Sequence, residues 1–162
     1  PKPVIAAVEG AAAGAGFSLA LACDLIVAAS NAVFVMAYSN VALSPDGGGS
    51  WSLSKALPRQ LVTELLMCGE KIGTTRLREL GVVNQVSEPG QALAGALQLA
   101  ENLNARAPNA LASIKDLLNQ IPGSTLSQAL AAESDHFVAN LHHANAGIGI
   151  AAFLEKKPPQ YR

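Results

Sequence analysis

Val4-Ile5-Ala6-Ala7-Val8-Glu9-Gly10-Ala11-Ala12-Ala13-Gly14-Ala15-Gly16-Phe17-Ser18-Leu19-Ala20-Leu21-Ala22-Cys23-Asp24-Leu25-Ile26-Val27-Ala28-Ala29 is the stretch from which the fold can be read. Its first five residues form a short apolar run between Pro3 and Glu9-Gly10, the pattern of a buried strand. Ala11 to Gly16 are all small and predict a tight turn. Phe17 to Cys23 predict a buried helix of one to two turns, ended by Asp24, and Leu25 to Ala29 a second strand. Strand, small-residue turn, helix and strand in that order belong to an α/β chain.

Outward from this stretch, Phe34-Val35-Met36-Ala37 predicts a third, shorter strand. Leu43 to Ser50 carries Pro45 and three successive glycines and is predicted to be a loop. Helices follow at 50–57, 59–68 and 74–80, and Val82 to Val86 predicts the last strand. Beyond Pro89 only helices are expected, over 91–106, 108–120, 124–141 and 146–156. Leu93, Leu97, Ala100 and Leu103 form one apolar stripe there, and Leu126, Leu130, Phe137 and Leu141 another. Two regions are therefore expected, an α/β part over 1–88 and a helical part over 89–162.

The whole comprises 162 residues, half of them apolar, with 11 Lys+Arg against 12 Asp+Glu and a formal net charge of −1. That balance gives no clustered basic surface for nucleic acid or an anionic membrane. No apolar stretch approaches the roughly 18 residues of a spanning helix, and no signal-peptide pattern opens the chain. Two cysteines, Cys23 and Cys68, are too few for a disulfide framework, which places the expected setting in the reducing cytoplasm. The chain opens on Pro1-Lys2-Pro3 and enters a strand at once, so a preceding segment is expected.

Two short motifs can carry chemistry. Gly14-Ala15-Gly16 presents backbone N–H groups at a predicted helix start, where they can stabilise an oxyanion; the same triplet also serves as a plain tight turn. It does not complete a G-x-G-x-x-G fingerprint. Asp46, in Pro45-Asp46-Gly47-Gly48-Gly49, is either a loop carboxylate available for proton transfer or a helix cap. His136, His142 and His143 lack supporting ligands at metal spacing, so no metal site is expected. Ser18 has no G-x-S-x-G elbow around it.

Taken together, these pieces resemble the crotonase (enoyl-CoA hydratase/isomerase) superfamily. The likeness is carried by Lys2 to Gly10, Ala12-x-Gly14-Ala15-Gly16, Leu19-Ala20-x-x-Cys23-Asp24 and Phe34 to Ser39. It continues through Leu43 to Gly48, Thr63 to Leu65, Gly69 to Ile72 and Leu80 to Val83, and ends on Ala152 to Lys157. The resemblance implies an α/β fold, the C-terminal part of a spiral of β-β-α units over 1–88, followed by a helical trimerisation region over 89–162. It implies an acyl-CoA thioester substrate, no cofactor besides the coenzyme A of that substrate, and a homo-oligomer, trimer or hexamer. It further implies that the Ala15 N–H, between Gly14 and Gly16, is one oxyanion donor, the other lying on a loop upstream of Pro1. Phe153 and Lys156 are expected near the CoA nucleotide.

The hydratases of that superfamily carry two Glu residues, at positions held here by Ser18 and Tyr38. Water addition needs carboxylates to hold the water and move its protons, so the resemblance favours an isomerase of the phenylacetate-pathway or Δ3,Δ2-enoyl-CoA type, with Asp46 as its acid/base. Tyr38, Trp51 and Phe17 are candidates to line the acyl pocket. A hydratase-like or hydrolytic member, or a non-catalytic acyl-CoA-binding paralogue, stays open as an alternative.

Overall fold

A computed structural model describes residues 1–161. The chain divides into two compact units, one of residues 4–99 and one joining Pro1–Pro3 to the chain from Ala100 onward.

The first unit holds two three-stranded sheets. In one, β1 (Ile5–Val8), β3 (Leu25–Ala29) and β6 (Gln85–Ser87) run parallel in the order β1-β3-β6, with Ala6 opposite Ile26 and Ala28 opposite Val86. In the other, β2 (Ala11–Ala13) pairs parallel with β4 (Val33–Val35), which pairs antiparallel with β5 (Ile72–Gly73). Five helices accompany them: α1 (Ala15–Leu21), α2 (Gly49–Ala56), α3 (Arg59–Met67), α4 (Thr74–Glu79) and α5 (Ala92–Asn104), the last running past the boundary. A short 3-10 turn covers Ser39–Val41. The core between the elements is closed by Phe17 against Phe34, ring centroids 5.0 Å apart, with Met36, Leu53, Leu77 and Val83 fully enclosed.

Two departures from the sequence reading have local causes, and α5 shows which of its faces meets the sheet. Ala11–Ala13 is a strand rather than a turn, because Ala12 packs in register with Phe34 and pairing outweighs alanine's weak strand preference. The last strand begins at Gln85 rather than Val82. The N–H groups of Val82 and Val83 both return to the Leu77 carbonyl, closing α4, and the Asn84 side chain takes the Ile26 N–H at 2.7 Å. On α5 the leucine stripe faces outward: Leu93 is 62% exposed and Leu97 58%, whereas Ala92 and Ala96 are buried. A Cβ on Gly95 would stand 3.2 Å from Val27, so this helix approaches β3 too closely for anything but its small residues.

The second unit contains α6 (Pro108–Gln120), α7 (Leu126–Leu141) and α8 (Ala144–Glu155). Thr125 and Gln128 form a reciprocal capping box at the start of α7. A chain of side-chain amides ties the three helices. Asn145 donates to Asn109 at 2.8 Å, Asn109 to Asn140 at 2.6 Å, and Asn140 to Ser113 at 2.9 Å. Leu126, Leu130, Phe137 and Leu141, the expected stripe of α7, are all exposed.

Candidate active site

In the first unit, the start of α1, the segment after β4 and the loop before α2 converge. Gly14 follows β2 directly, donates its N–H to the Val35 carbonyl at 2.8 Å and takes φ 50, a value that favours glycine. Its carbonyl accepts from the N–H groups of Phe17 and Ser18. Those of Ala15 and Gly16, in the first turn, have no acceptor inside the helix, and both residues are exposed. A Cβ on Gly14 would lie 3.3 Å from Cζ of Tyr38, so the missing side chain lets that ring come against the helix start.

Asp46 heads a tight turn. Its carbonyl accepts the Gly49 N–H at 3.1 Å, and the central residues Gly47 and Gly48 stand at φ 57 and 77, as a type I′ turn demands. Gly49 is required for a different reason. A Cβ there would come within 2.5 Å of Ser18 Oγ and 2.8 Å of Met36 Cε. The triple glycine thus answers two separate constraints, backbone angle at two positions and space at the third.

Two side chains hold Asp46. Ser18, 1% exposed, donates its hydroxyl to the Asp46 carbonyl at 2.9 Å and so fixes the backbone. The Tyr38 phenol donates to Asp46 Oδ1 at 2.6 Å and so fixes the carboxylate. The second oxygen, Oδ2, accepts no hydrogen bond from the described residues. The phenol is pushed above its ordinary ionisation range, first by the hydrogen bond to Asp46, then by desolvation and the carboxylate's charge, with the Ser18 hydroxyl among the opposing contacts. It therefore remains a donor throughout the neutral range. Asp46 does not cap α2, whose N-cap is Gly48 and has no side-chain bond.

The structure thus gathers Gly14, Ala15, Gly16, Ser18, Tyr38 and Asp46. The sequence placed Ser18 and Tyr38 at positions of interest without showing that both bind one residue; no spacing rule links 18, 38 and 46. Phe17 is a fully buried core residue packed on Phe34. Trp51 is 61% exposed in the first turn of α2, with Lys55 Nζ 5.8 Å from its ring centroid. Phe153 and Lys156 lie in the helical unit. Phe153 is 83% exposed, and Lys156 closes α8 in a left-handed conformation at φ 55. His143 caps α8, its Nδ1 accepting the Asn145 N–H at 3.1 Å. Among the described residues no group of three or more His, Cys, Asp or Glu could hold a metal, and no helix is long and apolar enough to cross a membrane.

Other carboxylates serve the fold. Glu9 takes the N–H groups of Ala92 at 2.7 Å and Gly90 at 3.1 Å, seating the start of α5, and Asp24 takes the Val4 N–H at 2.7 Å.

Comparison with known proteins gives a consistent picture. A family model described as enoyl-CoA hydratase/isomerase matches residues 1–162. A carnitinyl-CoA dehydratase of Escherichia coli is 37% identical over 165 residues, covering 99% of this chain and 63% of that protein. A 1,2-epoxyphenylacetyl-CoA isomerase of Escherichia coli is 38% identical over 161 residues, covering 99% and 62%. The crystal structure of an enoyl-CoA hydratase from Polaromonas sp. JS666 superposes with a TM-score of 0.99 at 71% identity, over 100% of this chain and 63% of that one. The chain therefore spans less than two thirds of the length of these relatives.

Proposed function

The chain belongs to the enoyl-CoA hydratase/isomerase family, and from that premise we propose that the whole protein is an acyl-CoA isomerase that moves a double bond by proton transfer through Asp46. The observation that carries this reading is the single clamped carboxylate. Tyr38 holds Asp46 at 2.6 Å, and the two positions where the hydratases carry Glu are occupied by Ser18 and Tyr38. The thioester carbonyl accepts from the Ala15 N–H, which lowers the energy of the enolate; a donor of this kind contributes about 3 kcal/mol in the transition state. Asp46 takes a proton from one carbon of the acyl chain and returns it to another. The C–H electrons pass into the enolate and come back as the new C–H bond forms. No group beyond the thioester's own coenzyme A is required, and Phe153 and Lys156 are assigned to its nucleotide.

A second reading, hydration or dehydration by Asp46 alone, is favoured by the names of the dehydratase and hydratase relatives. A panel of CoA esters assayed with the whole protein separates the two, following double-bond position and incorporation of labelled water independently. Migration of the double bond with slow or no hydration of crotonyl-CoA is expected. Rapid hydration of crotonyl-CoA, abolished by changing Asp46 alone, would overturn the isomerase reading.

Assembly as a homo-oligomer, trimer or hexamer, belongs to the same proposal. Its support is the apolar surface of the helical unit, where Leu126 is 76% exposed, Phe137 69% and Leu154 74%. A monomer in light scattering of the whole protein at micromolar concentration would overturn it.

A further inference from the structure

We infer that Tyr38 is the positioning residue of the proton transfer: by anchoring Asp46 through Oδ1 it leaves Oδ2 as the oxygen that carries the proton. This rests on the isomerase reading and adds to it a division of labour between the two carboxylate oxygens.

Four observations lead there. The contact from phenol to Oδ1, at 2.6 Å, has the length of a charge-assisted O–H···O⁻ bond, and among the described residues Oδ2 has no competing donor. The loop bearing Asp46 cannot place its side chain by itself, since Gly47, Gly48 and Gly49 contribute no side-chain contact. Its backbone is fixed from below by Ser18. The Tyr38 ring is in turn set against the start of α1, because Gly14 lacks the Cβ that would crowd it at 3.3 Å. The helix that carries the Ala15 N–H therefore also supports the ring that aims the carboxylate, so donor and base are registered to one element.

The arrangement suits a shuttle. A carboxylate that must both take and return a proton has to keep one orientation in both protonation states. The phenol can donate to Oδ1 in either, because the neutral acid carries its proton on Oδ2 and keeps Oδ1 as an acceptor. The C–H bond breaks as the Oδ2–H bond forms, and the reverse step at the second carbon restores the carboxylate with no net change in the protein.

The test uses the whole protein and Tyr38→Phe, which keeps the ring and removes only the anchor. The expected result is a fall in kcat of about 10- to 100-fold with KM changed by less than about threefold, since the anchor acts on the base and not on substrate binding. Exchange of the substrate's α-proton with solvent falls in parallel. The absorbance difference between wild type and Tyr38→Phe isolates this phenol, and its titration moves to lower pH when Asp46→Asn is placed in both proteins. Wild-type kcat in Tyr38→Phe, with double-bond migration intact in the parent, would overturn the positioning role and leave the isomerase reading standing. A rise in KM that accounts for the whole loss would make Tyr38 a substrate contact instead. A parent protein that neither moves the double bond nor exchanges the α-proton overturns the reading and the inference together.

Discussion

Asp46→Asn separates the chemical role of the loop from its structural one, because the geometry assigns the two to different atoms. The structural bonds go to the backbone carbonyl, which accepts from Ser18 Oγ and the Gly49 N–H and is untouched by the substitution. The side chain contributes only the bond from Tyr38, at an exposed position, and gives no cap to α2. Replacing a charged acceptor by a neutral amide oxygen there costs about 1 kcal/mol at most, and in a protein this size that lowers Tm by no more than about 2–4 °C. Turnover should fall far more, by about 10²- to 10⁴-fold, the worth of a positioned acid/base. The assay is double-bond migration and α-proton exchange in the whole protein, with CoA-ester affinity measured alongside and expected to stay within a few-fold of the parent. Near-parental turnover combined with a Tm drop well beyond 4 °C would refute the reasoning, since the carboxylate would then be holding the loop and moving no proton.

Other substitutions probe the frame around the site. Glu9→Ala strips two N–H groups at the start of α5 of their acceptor; a loss of about 1–2 kcal/mol is expected in denaturant unfolding, with isomerase activity of the surviving fold retained. Thr74→Val keeps the shape of a fully buried side chain but removes the hydroxyl that lies 2.7 and 3.0 Å from the carbonyls of Ala29 and Ala32, each of which retains a backbone N–H donor; the cost should be about 0.5–1.5 kcal/mol. Gly48→Ala meets nothing within 4 Å and suffers only from its φ of 77, for about 1–2 kcal/mol in thermal unfolding. Gly49→Ala should cut turnover as well, because its Cβ displaces Ser18 and with it the Asp46 carbonyl. Raising the pH through the elevated ionisation range of Tyr38 is expected to weaken the folded state, since the stabilisation is present while the phenol is protonated and is lost as it ionises; denaturation midpoints above pH 10, in wild type against Tyr38→Phe, check the sign.

The strands and helices that carry strong patterns were legible. Val4 to Val8, Leu25 to Ala29 and the helices beyond Pro89 announce themselves by apolar runs and periodicity. What escaped was decided by neighbours far along the chain. Ala11–Ala13 becomes a strand because Val33–Val35 lies beside it, and nothing in three alanines signals that partner. The leucines of α5 stand out in the sequence as an apolar stripe, but which face meets the sheet is set by Val27, which Gly95 approaches closely beside the buried Ala92 and Ala96. At the site, Asp46 and the Gly-Ala-Gly turn could be singled out from residue type and from family resemblance. The clasp of Ser18 and Tyr38 on Asp46 could not, because it joins a helix, the turn after β4 and the loop before α2, whose meeting is a property of the folded chain.

The bonds from Glu9 to the start of α5 join residues 81 and 83 positions apart. Closing so long a loop is entropically costly, whereas β1 and β3 need bring together only residues 20 apart, as Ile5 and Leu25 are. The short crossover is thus expected to form first, and the Glu9 bonds only once β6 has joined the sheet and α5 has docked. An interaction made after the folding barrier does little to hasten folding and much to delay escape from the native state. Glu9 would then act on lifetime: its removal should leave the refolding arm of the chevron in place and raise the unfolding arm, by about 5- to 30-fold for a loss of 1–2 kcal/mol.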